Sequence, residues 1–176
     1  MEKLIYILQT YSGMLLESLG QTMLLTLLSL IFAFIIGLVF GLMNVGKNKA
    51  LNFIGTVYVD AVRGVPLIVL AYFIYFGVPA AIKAAGFTDF KLTALQAGTI
   101  ALSMNAGAYM AEIFRAGIQS VDKGQMEAAR SLGLGYGKAM QKVVLPQAIR
   151  TMVPSIINQF IISLKDTSIL SVIGFP

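Results

Sequence analysis

The chain has 176 residues, of which 57% are hydrophobic and 12% are charged, and its net charge is +5. So few polar side chains cannot cover a soluble globule, and the composition therefore predicts an all-α integral membrane protein. Cysteine and histidine are both absent. This excludes disulfides and thiol chemistry, and it removes the usual metal ligands and the commonest general base. The composition therefore argues against an enzyme or a metal protein.

The charged residues are clustered, and the gaps between clusters are long. Four stretches contain no charged residue: 19–46, 64–82, 92–111 and 151–164. A helix needs about 20 apolar residues to cross roughly 30 Å of hydrocarbon, so the fourth gap is short for a span. The first gap lacks an Ala-x-Ala-like cleavage site, so we interpret it as a retained helix and not as a signal peptide. We therefore expect one multi-pass transmembrane domain over 1–176, with four spans.

The first predicted span, from about Gly20 to Val45, carries its small and polar residues on one side. They recur at spacings of three or four, which places them on one helical stripe: Thr22, Thr26, Ser29, Ala33, Gly37, Gly41 and Asn44. Small residues allow helix backbones to approach closely in lipid, and Gly37 and Gly41 form a Gly-x-x-x-Gly pair. The stripe predicts helix packing rather than substrate contact.

Lys47 and Lys49 follow this span directly. By the positive-inside rule they predict a cytoplasmic turn, which leaves the amino terminus outside. The net positive charge is therefore explained by membrane topology, and nucleic acid is not needed as a partner.

The second span is predicted to be broken. It runs through 53–62, is interrupted by Arg63-Gly-Val-Pro66, and continues through 67–78. Asp60 and Arg63 stand three apart and can pair on one helix face. The interruption leaves two interpretations open, a plain kink and a functional hinge.

The third predicted span, about Leu92 to Phe114, carries a second stripe of small and polar residues. Asn105 lies near its middle, where an amide is costly in lipid without a partner, so we expect it to face the bundle or a pathway. Glu112 lies nearer the inner end, where pairing with Arg115 is the simplest expectation.

A basic loop, predicted to be cytoplasmic and to cover 116–148, contains a short helix. Residues 125–132 predict two helical turns, with Asp122 as the cap and Gly133 as a left-handed stop. Met126, Ala129 and Leu132 are expected on one side, where small residues allow close approach and the methionine supplies an adaptable apolar contact. An ordinary amphipathic loop helix is the simpler alternative. Residues 133–139 superficially suggest a phosphate loop, but Leu132 stands where its first glycine should be, Ala139 lacks the magnesium-binding hydroxyl, and no strand precedes it. We therefore do not expect this chain to bind ATP.

The fourth predicted span, Thr151 to Leu164, would cover only roughly 21 Å as a helix. Lys165 and Asp166 are therefore expected below the outer surface, either paired or lining a cavity. Simple snorkelling of Lys165 towards the interface is the alternative.

Several stretches together resemble one family. They are 63–69 with 75–79, then 107–115, 124–129 with 145–150, and 165–168. The pattern Glu127-Ala-Ala with Gly133 and the later Pro146 is similar to the EAA loop of ABC-importer permeases. Its combination with Gly-Ala-Tyr-Met-Ala-Glu and Lys-Asp-Thr-Ser resembles the polar amino acid permeases of the histidine, glutamine, glutamate and arginine type.

This resemblance implies the transmembrane domain of a type I ABC importer in a prokaryotic cytoplasmic membrane. It implies a second permease copy or paralogue, an ABC ATPase dimer and an extracytoplasmic solute-binding protein as partners. ATP and Mg²⁺ would be bound by the ATPase, and this chain would hold no cofactor. The resemblance also makes the short loop helix the ATPase-coupling element: Gln125, Met126, Glu127, Ala128, Ala129, Leu132 and Gly133.

Two departures from the family pattern stand out. The family usually has Gln four residues after the Pro of its Arg-Gly-x-Pro motif, whereas this chain has Leu70. The family also normally continues into another transmembrane helix, and we therefore expect a fifth span to be missing.

The leading hypothesis is a permease that moves a polar amino acid inward by alternating access. A zwitterion that crosses hydrocarbon needs partners for both charges, which transporters provide near the midplane through broken helices and sparse polar residues. The predicted pathway residues are Asn105, Asn158, Gln159, Lys165, Asp166, Thr167 and Ser168. The alternative function is a passive channel or a packing subunit, and for 165–168 the alternative role is to satisfy a helix end.

Overall fold

The computed structural model describes residues 2–87 and 90–175, and within them every regular element is helical. The long first helix is followed by a broken second helix, a central third one and a long final run. In chain order the elements are α1 (Glu2–Val45), α2 (Lys49–Gly64), α3 (Leu67–Tyr72), a π turn (Phe73–Gly77), α4 (Val78–Ala84), α5 (Ala94–Gln119), α6 (Lys123–Ser131), α7 (Tyr136–Ala139), a second π turn (Met140–Val144), α8 (Leu145–Asp166) and a 3-10 segment (Thr167–Ile173).

Three helical runs in the described residues are both long and apolar enough to span a membrane. They cover Thr10–Val45, Leu67–Ala84 and Tyr136–Ile173. Helix α5 has 26 residues and is thus also long enough, at about 1.5 Å per residue. Its many small and polar residues lower its hydropathy, because it is packed inside the bundle and not against lipid. The structure therefore supports an all-α membrane fold with α5 at its centre.

Helices α1 and α5 form the main packing seam of the bundle. A Cβ on Gly37 would lie 2.4 Å from the Cβ of Met110, and one on Gly107 would lie 2.7 Å from Ile36. Such contacts require glycine, because even one methyl group would overlap the facing helix. Thr26, Ser29, Ala33, Gly37, Gly41 and Asn44 of the predicted stripe are all buried. The packing role predicted for this stripe is confirmed.

The opposite side of α1 exposes large apolar side chains, such as Phe32, Ile35 and Val39. A helix with one buried stripe and an apolar outer surface suits a lipid solvent.

The break in the second span is confirmed. Val65 adopts an extended conformation, with φ −103° and ψ 127°, as expected for a residue that precedes a proline. Pro66 then caps α3, and the chain continues helically to Ala84. The interruption therefore lies between two helices, α2 and α3.

The prediction of a short final span is wrong. The last helical run extends over 38 residues, from Tyr136 to Ile173. Arg150 and Lys165 lie within this run and do not bound it, and Pro154 is accommodated inside α8. The prediction failed because it placed the helix ends at the two charged residues that bound the uncharged stretch. The ends of a helix are determined by backbone hydrogen bonding, which continues past both of these residues.

Candidate functional site

A cavity of about 450 Å³, open on one side, lies midway along the bundle beside the break between α2 and α3. We call it the mid-bundle cavity. Helix α5 contributes a polar residue from its middle and α8 contributes its last turns. The lining residues are Arg63, Gly64, Val65, Pro66, Leu67, Asn105, Tyr109, Gln159, Ile162 and Asp166.

Three of the seven predicted pathway residues meet at this cavity. Asn105 is 7% exposed and Gln159 is 4% exposed, while Asp166 is half-buried at the end of α8. Gln159 also donates to the Ser163 hydroxyl over 3.4 Å. These residues come from two different helices, α5 and α8, so the cavity depends on the packed bundle and not on one local motif.

The other four predicted pathway residues do not line this cavity. Thr167 is buried, and its hydroxyl donates to the carbonyl of Leu164 over 2.6 Å. The Ser168 hydroxyl donates to the carbonyl of Lys165 over 2.7 Å. Asn158 and Lys165 are exposed. In this structure the Thr167 and Ser168 hydroxyls serve the end of the helix, which favours the helix-end interpretation for those two residues.

Arg63 and Tyr109 also line the cavity, although sequence reasoning did not single them out as pathway residues. The guanidinium carbon of Arg63 lies 5.0 Å from the centre of the Tyr109 ring, within the range of a cation–π interaction. The signal available in the sequence was the position of Arg63 at the start of the helix break. A polar side chain at such a break is directed to the opening that the break creates.

The expected pair between Asp60 and Arg63 is not formed. In the part of the chain that the structure describes, the ion pair within 4.0 Å is Arg115 with Glu112. Arg115 makes two hydrogen bonds to Glu112, of which the Nε–Oε2 bond is 3.0 Å, and a third to Gln119 of 2.9 Å. The predicted pairing of Glu112 with Arg115 is confirmed.

A second polar cavity, of about 320 Å³, lies nearer the end of the bundle that carries Lys47 and α6. We call it the loop-side cavity. Helices α1, α2 and α5 border it. Its lining residues are Asn44, Asn52, Thr56, Val59, Asp60, Arg63, Glu112, Arg115 and Gln119.

The short loop helix forms as α6, close to the predicted residues. The Asp122 carboxylate accepts from the backbone N–H of Gly124 over 2.6 Å, which confirms the predicted cap. Gly133 has φ +86°, which confirms the predicted left-handed stop. The sequence determines both ends of α6 because each end needs a particular residue type.

The expected common side of Met126, Ala129 and Leu132 is wrong. Ala129 is 5% exposed and packs inward, whereas Leu132 is 86% exposed. Met126 is half-buried in a groove that it forms with residues such as Tyr136 and Met140. Leu132 leaves the helical period because α6 ends at Ser131 and the chain turns at Gly133.

The surface of α6 that remains accessible consists of small, charged and apolar residues together. Its exposed members among the predicted coupling residues are Gln125, Glu127, Ala128, Leu132 and Gly133. Gln125 is tied to the start of α8, because its side chain accepts from Gln147 over 3.2 Å. Lys47, in the turn between α1 and α2, lies 5.7 Å from the ring centre of Tyr136. A side-chain hydrogen bond therefore links α6 to α8. The next helix, α7, contacts the turn between α1 and α2 through Tyr136.

Known proteins resemble this chain over most of its length. A family model described as the binding-protein-dependent transport system inner membrane component matches residues 33–175. A probable glutamine ABC transporter permease of Bacillus subtilis is 40% identical over 92% of this chain and 72% of its own length. An arginine transport system permease of the same organism is 38% identical over 91% of this chain and 70% of its own length.

Solved structures give the same picture. A crystal structure of an amino acid ABC transporter with histidines has a TM-score of 0.86 and 39% identity, and the match covers 96% of this chain and 75% of that chain. An inward-facing structure of a methionine ABC transporter has a TM-score of 0.74 at 22% identity, over 98% of this chain and 77% of that chain, and shows the fold alone. The chain therefore belongs to the inner membrane components of binding-protein-dependent transport systems, and it is a permease subunit of the amino acid ABC transporter type and not an enzyme.

Proposed function

We propose that this chain moves a polar amino acid across the cytoplasmic membrane by alternating access, driven by an ATPase in a separate subunit. The observation that carries the proposal is the mid-bundle cavity, which places a cation and a carboxylate beside a helix break in a member of this family. Two buried amides, Asn105 and Gln159, complete the polar wall. A volume of about 450 Å³ is in the range of sites that hold small molecules.

The charges of the cavity suit a zwitterion. Arg63 offers a planar fork of donors to an α-carboxylate, and Asp166 accepts from an ammonium group. The guanidinium of Arg63 is held beside Tyr109 and forms no ion pair within 4.0 Å to a side chain among the described residues. A substrate carboxylate supplies the partner that this cation otherwise lacks at membrane depth.

The exposed α6 surface supplies the proposed contact with the ATPase. Ala128 allows close approach, and Leu132 is a large apolar side chain that is almost fully exposed. An exposed leucine beside small residues is available as an aliphatic anchor for a pocket of a partner. In this proposal α6 lies in the cytoplasm, the amino terminus is outside, and a second permease and a solute-binding protein complete the importer.

Reconstitution tests the transport function. The affinity-tagged chain is purified from its native membrane with the proteins that accompany it, and it is placed in liposomes containing ATP. We expect an ATPase of the ABC class to co-purify, and radiolabelled arginine, histidine, glutamine or glutamate to accumulate only with ATP. Uptake that equilibrates without ATP would instead support the passive channel.

A pair of variants at one position tests the coupling surface. Leu132→Asp is expected to lower ATP-driven uptake and ATPase co-purification at least about tenfold, because it places a charge where the proposed interface would bury an apolar side chain. Leu132→Met keeps the apolar contact and is expected to retain most activity. Full coupling in the aspartate variant would remove Leu132 from the proposed interface.

A further inference from the structure

Arg63 lines both polar cavities. It borders the mid-bundle cavity together with Asp166, and it borders the loop-side cavity together with Asp60. Its position at the end of α2, one residue before Gly64 and the extended Val65, gives the side chain access to both sides of the break. One guanidinium thus stands between two chambers at different depths in the bundle.

Each chamber also has one carboxylate of its own that is not used in an ion pair. Asp166 lines the mid-bundle cavity and Asp60 lines the loop-side cavity. Neither forms an ion pair within 4.0 Å in the described ranges, 2–87 and 90–175. Glu112 and Arg115 also border the loop-side cavity, but they pair with each other through two hydrogen bonds. The free groups are therefore one shared cation and two separate carboxylates.

Tyr109 gives Arg63 a support that leaves its charge available. A cation–π contact holds the guanidinium over the ring without neutralising it. Tyr109 lies on α5 between Asn105, which lines the mid-bundle cavity, and Glu112, which lines the loop-side cavity. Arg63, held beside this ring, borders both chambers.

We propose that the loop-side cavity is a second binding station for the transported zwitterion. Arg63 pairs with the substrate carboxylate in both stations, while the ammonium group passes from Asp166 to Asp60. The inference rests on the proposed import function and adds the exit route to it. Keeping the carboxylate paired avoids the large cost of an isolated charge in a low-dielectric interior.

The loop-side cavity is better suited to releasing the substrate than to binding it with high affinity. Its wall is more charged than that of the mid-bundle cavity, and Asn52, Thr56 and Gln119 add further polar contacts. It also lies at the end of the bundle that carries α6, where the proposed ATPase acts. A substrate bound there remains hydrated and polar-paired until the bundle opens at that end.

The test compares the two carboxylates in the reconstituted complex, with uptake of radiolabelled arginine, histidine, glutamine and glutamate as the measurement. Asp166→Asn is expected to raise the half-saturating concentration about tenfold, because it removes a charged partner from the entry station. Asp60→Asn is expected to lower the maximal rate about tenfold and to change the half-saturating concentration less than twofold. Glu17→Gln makes the same chemical change on the exposed side of α1 and is the control.

The outcomes separate this inference from the proposed function. No ATP-dependent uptake of any of the four amino acids by the unmutated complex would overturn both. Normal uptake by Asp60→Asn, or an increase in half-saturating concentration equal to that of Asp166→Asn, would overturn the second station alone. If Asp60→Asn does not assemble, Asp60→Glu replaces it: a maximal rate within about threefold of the unmutated complex supports the inference, and a greater loss contradicts it.

Discussion

The seam between α1 and α5 and the mid-bundle cavity use the same helix in opposite ways. At the seam, α5 presents Gly107 and Met110 to α1, and the backbones approach until no added methyl group fits. At the cavity, the same stretch of α5 presents Asn105 and Tyr109 to an open space beside the break between α2 and α3. On the face of α5 that meets α1, the residues must be small enough for close packing. On the face that borders the cavity, they are polar and leave open space.

The difference teaches where this fold tolerates movement. At the seam, many contacts between small residues all depend on the same distance between α1 and α5. These two helices can therefore move only together. The cavity is bordered by a helix break and by side chains with few fixed partners. Conformational change is thus expected at the cavity, against a rigid α1–α5 pair.

The largest effect is expected from filling the seam. Gly37→Leu places a side chain where even a Cβ would be 2.4 Å from Met110, and we expect it to destabilise the folded permease by about 3 kcal/mol or more. The measurement is thermal unfolding in detergent, together with the yield of monodisperse protein. Gly13→Leu, on the same helix with no atom within 4 Å of the added Cβ, is the control. Equal stability of the two variants would contradict the close packing of the seam.

The next effect is expected from removing the shared cation of the cavities. Arg63→Gln keeps a polar side chain but loses the charge, and we expect the half-saturating concentration for uptake to rise at least about tenfold. Thermal stability should stay within about 1 kcal/mol of the unmutated protein, because Arg63 is exposed to the cavity and fills no packed volume. A loss of stability as large as that of Gly37→Leu would show that the residue is structural.

A smaller effect distinguishes the cavity wall on α5 from the exposed side of α8. Asn105→Leu removes an amide from the cavity wall, and we expect uptake at low substrate concentration to fall about fivefold. Asn158→Leu makes the same change at an exposed position that does not line the cavity, and we expect less than a twofold change. The reverse order in the uptake assay would move the pathway to the exposed side of α8.

The smallest effect is expected at the aromatic support. Tyr109→Leu removes the ring that lies 5.0 Å from the Arg63 guanidinium, a contact worth about 0.5 to 1 kcal/mol. We expect uptake to fall about threefold, whereas Tyr109→Phe retains the ring face and should stay near the unmutated rate. A fall of equal size in the phenylalanine variant would assign the effect to the hydroxyl group instead.

Local signals in the sequence predicted local structure well. Asp122 and Gly133 predicted both ends of α6, the Arg63 to Pro66 motif predicted the break, and the glycine stripe predicted the seam. Each of these depends on the chemistry of one residue or on a helical period. The position of Leu132 was not predictable from the period, because that residue lies beyond the last helical turn.

The candidate site was only partly predictable for a similar reason. Asn105, Gln159 and Asp166 were selected because polar residues are rare at membrane depth, but the same criterion also selected Asn158, Lys165, Thr167 and Ser168, which do not line the cavity. Arg63 was missed as a cavity residue because a nearby carboxylate offered a simple local pair. Which side chains line the same cavity depends on how the helices pack against each other. The spacing of residues along a single helix does not determine that packing.

The final helical run connects the two ends of the molecule mechanically. It starts at Tyr136, beside the turn that carries Lys47, and extends past Asp166 to Ile173. A run of 38 residues is about 57 Å long at about 1.5 Å per residue, and a tilt of about 5° around its midpoint would displace each end by about 2.5 Å. Asp166 lies about 17 Å from the midpoint, so the same tilt would move it by about 1.5 Å. We therefore expect a small movement of this run near α6 to change the position of Asp166 relative to the cavity that it lines.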